Sequence, residues 1–359
     1  MSDPTNIHHP NATPSNQWAI AEPALSPSWP DLVTGVAEVR RAIDRVRREV
    51  HKSIVGQDEV VDQAILAIIC GGHAVVEGVP GLAKTLLVSS LSKTLSLQFS
   101  RVQFTPDLMP SDMTGTEVIQ EDKATGSRAL RFVKGPIFSN IVLADEINRT
   151  PPKTQSALLE AMQERQVTVE GQTFPLAPPF HVLATANPVE YEGTYPLPEA
   201  QLDRFLLRIS FGYPTLDQEV EVLERRMGRR QEAQELRAVT DAATVLAMQA
   251  AVETVSVDPA ISRYCVDLTA ATRTHPHVLM GASPRGALAL LLTSRAFAVI
   301  AGRDYVTPED VKAVAPAVLA HRITVRPELW MSNASGGSVA AAVLTTVPTP
   351  SPGGTASNA

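Results

Sequence analysis

The chain has 359 residues, long enough for two compact units plus tails, and its 44% hydrophobic, 19% charged and 5% aromatic content is that of a globular protein able to bury a sizeable core. That composition is neither fibrous nor membrane-like. A formal net charge of −7 and the lack of any block of Lys and Arg disfavour a dedicated polyanion binder, although an acidic protein can still carry a local basic channel.

Residues 1–33 are rich in Pro, Ser and Asn, and the end of the chain (TTVPTPSPGGTASNA) has the same character, so segments 1–33 and 331–359 are expected to be flexible tails. The first stretch has no positively charged region followed by an apolar run, which leads to the expectation of a cytoplasmic protein without membrane insertion. The neighbouring His8 and His9 read as solvated rather than metal-binding, and Cys70 and Cys265, which have no metal-ligand spacing, read as buried core thiols.

From Gly35 the pattern turns helical. Val36, Val39, Ile43, Val46 and Val50 recur at three- and four-residue spacing, and VVDQAILAII continues after a break at Val55–Gly56–Gln57. HAVVE (73–77) reads as a buried strand, followed by the glycine-bearing GVPGLAKT and a helix-like LLVSSLSKTL. Further buried strands are expected at 101–104, 140–145, 181–186 and 206–210, with helical segments such as 153–164 between them, which implies a mainly parallel sheet covered on both faces. Residues 116–133 and 167–176 break the alternation and read as β-hairpin insertions. After Tyr213–Pro214 the periodicity is wholly helical, so the expected units are an αβα domain at 34–212 and an all-α domain at 213–330, each with its own core.

Gly78, Val79, Pro80, Gly81, Leu82, Ala83, Lys84 and Thr85 lie between a strand and a helix. A phosphate chain needs inward-facing backbone N–H groups, a helix N-terminus, an ammonium and a hydroxyl for Mg²⁺, and this segment with the following Leu86 supplies all four. Ala83 stands where the general pattern has a second glycine. An apolar strand ending in Asp145 and Glu146 delivers two carboxylates to the edge where parallel sheets bind ligands. The first suits Mg²⁺ and the second suits polarising an attacking water. A third strand ends at Asn187, a neutral amide placed to orient that water or sense the γ-phosphate. Arg204, just before the last strand, is the candidate arginine finger supplied to a neighbouring subunit, with Arg208 close enough to be confused with it. Arg285, in the first turn of a later helix, is placed to bind the γ-phosphate rather than to cap its own helix.

With these elements in order, residues 36–330 resemble the MoxR family of AAA+ ATPases. The resemblance rests on GVPGLAKT, FTPDLMPSDMTGTEV, GPIFSNIVLADEINRTPPKTQSALLEAMQE, LPEAQLDRF and GASPR. It implies a P-loop αβα domain with a helical lid, ATP and Mg²⁺ as ligands, Mg²⁺ held by Thr85 and Asp145, and Asn187 and Arg285 as the two sensors. It also implies Val55 and Gln57 near adenine, a homo-oligomeric ring, usually hexameric, and a chaperone-like role. Proteins of this family are thought to mature or activate partner complexes, often with a von Willebrand factor A domain protein. Two rival readings are a nucleic-acid motor of the related MCM-like branch and a nucleotide-gated scaffold with little turnover. Hairpin 116–133 sets only Lys123, Arg128 and Arg131 against Glu117, Glu121 and Asp122, and a scaffold has no use for Glu146.

Overall fold

Val39, Ile43, Val46 and Val50 form one buried stripe of helix α1 (Val36–Val50), and the left-handed turn Gly56–Gln57, with φ of 60° and 56°, starts the largely buried α2 (Asp58–Ile69). The computed structural model describes residues 35–79, 81–121, 128–186, 194–230, 234–329 and 334–350, all within the unit Val33–Ala359. Chain order then gives β1 (Ala74–Glu77), α3 (Lys84–Thr94), β2 (Phe99–Gln103), α4 (Pro110–Thr114), the strands β3 (Gly115–Glu121) and β4 (Arg128–Lys134), and β5 (Ile141–Asp145). After these come α5 (Pro152–Glu164), β6 (Gln166–Val169), β7 (Gln172–Pro175), β8 (His181–Ala186), α6 (Glu199–Leu202) and β9 (Leu207–Ser210).

Five strands form one parallel sheet in the order β2-β5-β8-β1-β9, while β3–β4 and β6–β7 are separate antiparallel hairpins. The near-continuous apolar runs of β5 and β8 are what a sheet covered on both faces requires. Val75, Val142, Ala144, Val182 and Ala184 face α5, whose Leu158, Leu159 and Met162 are buried against them. Ala74, Val76, Ile141, Leu143 and Leu183 belong to the other core, with α1, α2 and α3.

The helical region comprises α7 (Leu216–Arg229), α8 (Ala242–Glu253), α9 (Pro259–Thr274), β10 (Val278–Met280), α10 (Pro284–Ile300), α11 (Pro308–Leu319), β11 (Thr324–Val325) and α12 (Gly336–Thr346). Two cores exist, but the sheet divides them. Val245, Met248, Leu290 and Val314 of the helical region join the same cluster as α1 and α2. The region is also not wholly helical, because β10 and β11 pair antiparallel, and strands this short leave no periodicity to read. Residues 336–346 lie in the segment expected to be a tail from 331, yet they form a helix that starts with a Ser335 capping box and buries Val339, Ala340 and Val343. Its small residues conceal that packing in the composition. Cys265 is buried and burial pushes its thiol up to about 12, whereas Cys70 is only half-buried; both are free.

Candidate active site

Parallel strands bring their carboxyl ends to one edge, and register decides which side chains meet there. Gln103 pairs with Asp145 across β2 and β5, and Glu77 of β1 lies between Ala186 of β8 and Ser210 of β9. The loop after β1 uses left-handed backbone at Gly81 (φ 88°) and Ala83 (φ 59°), and Ala83 caps α3. Alanine tolerates this conformation at a cost of about 1 kcal/mol, and the return is that the first N–H groups of α3 open toward the loop. Nothing lies within 4 Å of a methyl placed on Gly81, so the backbone there is open to an incoming group. Lys84 opens α3 and its Nζ donates to the Gly78 carbonyl at 2.7 Å, spanning the loop. Partial burial lowers the pKa of that ammonium, against the attraction of Asp145 and Glu146, and it has no ion-pair partner within 4 Å among the described residues. Thr85 follows in the first turn, with Leu86 exposed and Leu82 packed on the core; Val79 is half-buried and Pro80 lies outside the described residues.

Asp145 ends β5 with both oxygens engaged. Oδ1 accepts from Thr185 Oγ1 at 2.5 Å, and Oδ2 accepts from Arg101 Nε at 3.0 Å. Glu146 is turned out of the strand line by a left-handed φ of 58°. Its N–H donates to Thr185 Oγ1 at 2.8 Å, Gln103 Nε2 donates to its Oε2 at 2.7 Å, and Arg149 lies 3.3 Å from the same oxygen. Arg101, Gln103 and Thr185 were not anticipated. Their signals were present but weak, being polar side chains in otherwise apolar strands, and only the strand order shows that they face the carboxylates.

The donor set fits a Mg²⁺-bound polyphosphate. A hydroxyl, a carboxylate and a Lys-bearing loop share one edge, and Mg²⁺ ordinarily takes one or two protein ligands and completes its shell with water and phosphate oxygens. Among the described residues no cluster of three or more His, Cys, Asp or Glu could hold a metal ion. Beside this edge, Val55 is half-buried and Gln57 Nε2 donates to the Gly212 carbonyl at 2.9 Å, while the Gln218 amide lies so close to Gly56 that an added methyl would clash.

The arginines stand apart from this cluster, and none of Arg204, Arg208 and Arg285 bonds to Lys84, Asp145 or Glu146. Arg204 Nη1 donates to the Leu159 carbonyl at 3.0 Å, and its buried Nε has no partner among the described residues. Arg208 faces Glu77 of its own chain at 3.5 Å. Arg285 is exposed at the start of α10, and its backbone N–H donates to the Ser283 cap at 3.1 Å. Asn187 lies outside the described residues. Asp203, next to Arg204, joins this segment to the helical region. Its Oδ2 accepts from Ser283 Oγ at 2.7 Å and its Oδ1 accepts from the buried Arg322 Nε at 2.9 Å. Arg322 Nη2 also donates to the Phe205 carbonyl at 2.6 Å, and His321 Nε2 bonds the same carbonyl at 3.0 Å.

Comparison with known proteins agrees with this geometry. Residues 73–207 match the model of the ATPase family associated with various cellular activities (AAA), and residues 270–341 match the AAA lid domain. The chain is 43% identical to the uncharacterised protein YeaC of Bacillus subtilis, over 84% of this chain and 92% of that one. It is 41% identical to Chaperone MoxR1 of Mycobacterium tuberculosis, over 88% and 84% respectively. The crystal structure of a candidate ATPase from Cytophaga hutchinsonii superposes with a TM-score of 0.81 at 42% identity, covering 88% of this chain and 97% of that one.

Proposed function

Because this chain belongs to the MoxR family of AAA+ ATPases, we propose that it hydrolyses ATP within a homo-oligomeric ring, hexameric in the simplest case, to remodel, mature or activate a partner protein complex. The observation that carries the reading is the meeting of Lys84, Asp145 and Glu146 at one sheet edge. Lys84 and the N–H groups of Gly81 to Leu86 bind the phosphate chain, and Val55 and Gln57 flank the base. Thr85 and Asp145 would hold Mg²⁺, which would supply positive charge against the phosphate chain. Glu146 accepts a hydrogen bond from the attacking water and polarises it, and Asn187 orients that water. Arg204 serves the site of the neighbouring subunit, and Arg285 couples the lid domain to the nucleotide.

The domain limits proposed on this basis are an AAA+ domain at 34–212 and a lid from 213 to 330, which α12 extends beyond 331. The hairpins favour a polypeptide over a nucleic acid as the thing moved. Ile119 and Leu130 form a cross-strand pair that is 71% and 68% exposed, an apolar contact that suits an unfolded segment better than a phosphate backbone. A von Willebrand factor A domain protein is the partner type the family implies, and the proposed setting is the cytoplasm. Among the described residues no helix is long and apolar enough to cross a membrane.

The test is Glu146→Gln. Binding of a fluorescent ATP analogue should stay within about twofold of wild type, while steady-state turnover falls by roughly 10² or more. Equal turnover would remove Glu146 from its assigned role.

A further inference from the structure

At the C-terminal ends of α1 and α7, away from the nucleotide loop, lies an open cleft of about 480 Å³ lined by Arg48, His51, Lys52, Arg225, Arg229 and Gln234. A contiguous depression shares Lys52 and Gln234 and adds Lys93 and Arg237, with one carboxylate, Glu235, among them. This is a concentration of positive charge on a chain whose net charge is −7.

The local carboxylates neutralise only part of it. Lys52 donates to Glu49 at 2.6 Å, and Arg225 is paired with Glu221 while its Nη1 donates to the His51 carbonyl at 2.7 Å. Arg48 and Arg229 have no carboxylate partner among the described residues. Arg48 Nε donates to the backbone carbonyl of Asp44 at 3.2 Å, Arg229 Nη1 donates to Gln234 Oε1 at 3.1 Å, and the buried Nε of Arg229 has no partner among the described residues. Unneutralised cations gathered in a concave site with low-dielectric walls focus the field on whatever occupies it.

We propose that this cleft binds a compact polyphosphate anion at a site separate from the Lys84 loop. The volume falls within the range of about 300–1,000 Å³ usual for small-ligand sites. Guanidinium forks and an ammonium match phosphoryl oxygens, whereas among the described residues no Phe, Tyr or Trp lines the cleft to hold a base, and His51 is the one ring in it. Extended polyanions are disfavoured because α7 carries the exposed Glu224 and the adjoining depression carries Glu235, carboxylates that a nucleic acid or an acidic polypeptide running past the cleft would meet. The cleft also has a mechanical position. Its walls are the last turn of α1 and the last turns of α7, and the other end of α7 touches the base-flanking turn through Gln218 and Gly56. An anion held by Arg48 and Lys52 on one side and Arg225 and Arg229 on the other fastens the first helix after the sheet to α1.

The experiment is calorimetric titration of inorganic tripolyphosphate into full-length Lys84→Ala protein at low salt, and into wild-type protein saturated with MgADP, so that the nucleotide loop takes no part. Saturable binding at one site per chain is expected in both. It should weaken at least about tenfold in Arg48→Ala/Arg229→Ala and fall further with added salt. Should the double variant fold poorly, the charge reversal Arg48→Glu, at an exposed position, reads the same loss. Absence of binding in both preparations, or unchanged affinity in the Arg48 variants, overturns the site. A nucleotide-binding defect in Lys84→Ala bears only on the loop.

Discussion

Asp203 binds the segment that carries Arg204 to the lid, and the chemistry there is unforgiving. Its carboxylate is the only acidic partner of Arg322 among the described residues, and that guanidinium side chain is 3% exposed. A buried ion pair contributes little net stability against an apolar alternative, but removing one member strands the other without water. Asp203→Ala is therefore expected to lower the unfolding free energy by about 3–5 kcal/mol, measured by urea denaturation, and to release Ser283 from its bond across the domain boundary. The double change Asp203→Ala/Arg322→Met should recover much of that loss, since no charge is left buried. A single-variant loss below about 1 kcal/mol would mean that solvent already reaches Arg322. Glu146 has a similar dependence on its neighbours. It sits in left-handed backbone, and Gln103, Arg149 and the Thr185 hydroxyl hold it, so the proposed water-activating group is aimed by residues of two other strands and one turn.

At the scale of elements, two histidines join strand starts to their surroundings as fixed neutral tautomers. His73 Nδ1 accepts from the Val182 N–H at 2.9 Å while Nε2 faces the Met162 carbonyl at 3.1 Å. His181 has the opposite assignment, with Nδ1 facing the Gly72 carbonyl at 2.9 Å and Nε2 facing the Gln249 amide at 3.3 Å. Burial holds His73 down at about 3 and His181 down at about 4, from an ordinary value near 6.5. Because the folded values are depressed, the unfolded chain takes up protons first. The stabilisation is complete above about pH 6.5 and is lost as pH falls toward 4 and then 3. Unfolding free energy should drop by roughly 2 kcal/mol per histidine between pH 7 and 5, and His181→Asn, which keeps a donor for Gly72, should remove about half of that slope. A flat profile over this range would contradict the buried neutral assignment.

The hairpins are tied together in a comparable way. Phe132 of β4 stacks on Phe174 of β7 at 4.3 Å, with Phe138 edge-on to both. Phe174→Ala should raise amide exchange across β3–β4 while leaving nucleotide affinity unchanged; unaltered exchange would show that the hairpins stand independently. The strands and these hairpins were legible from the sequence because apolar runs and turn residues act locally. The clasp was not, since Phe132, Phe138 and Phe174 are separate in sequence and meet only through tertiary packing. The loop, Asp145 and Glu146 were legible for the same local reason, whereas Arg101, Gln103, Thr185 and the Asp203–Arg322 bond depend on strand order and on how the lid docks. The helix α12 was missed because its Gly-, Ser- and Ala-rich composition mimics a tail.

For the whole molecule, α7 presents a surface that a solitary chain leaves unsatisfied. Leu216, Val220, Leu223 and Met227 fall on one helical stripe and are 80%, 53%, 63% and 70% exposed, and α7 buries none of its residues. A contiguous apolar stripe of this kind on a globular protein marks a surface that another protein covers. The proposed ring gives it an occupant, a second copy of the chain, and the pinned cis position of Arg204 fits a residue whose reacting partner lies on a different subunit. Closed rings need a heterologous contact repeated at every interface, so a charge placed on the stripe is felt at each one. Leu223→Glu/Met227→Glu should leave thermal stability near that of wild type, because neither side chain is packed in the single chain. Light scattering at fixed concentration should then show smaller assemblies, and ATP turnover per subunit should fall with little change in nucleotide affinity. If mass and turnover both stay at wild-type values, α7 lies outside the subunit contacts, and the stripe belongs to the partner complex on which the ring acts.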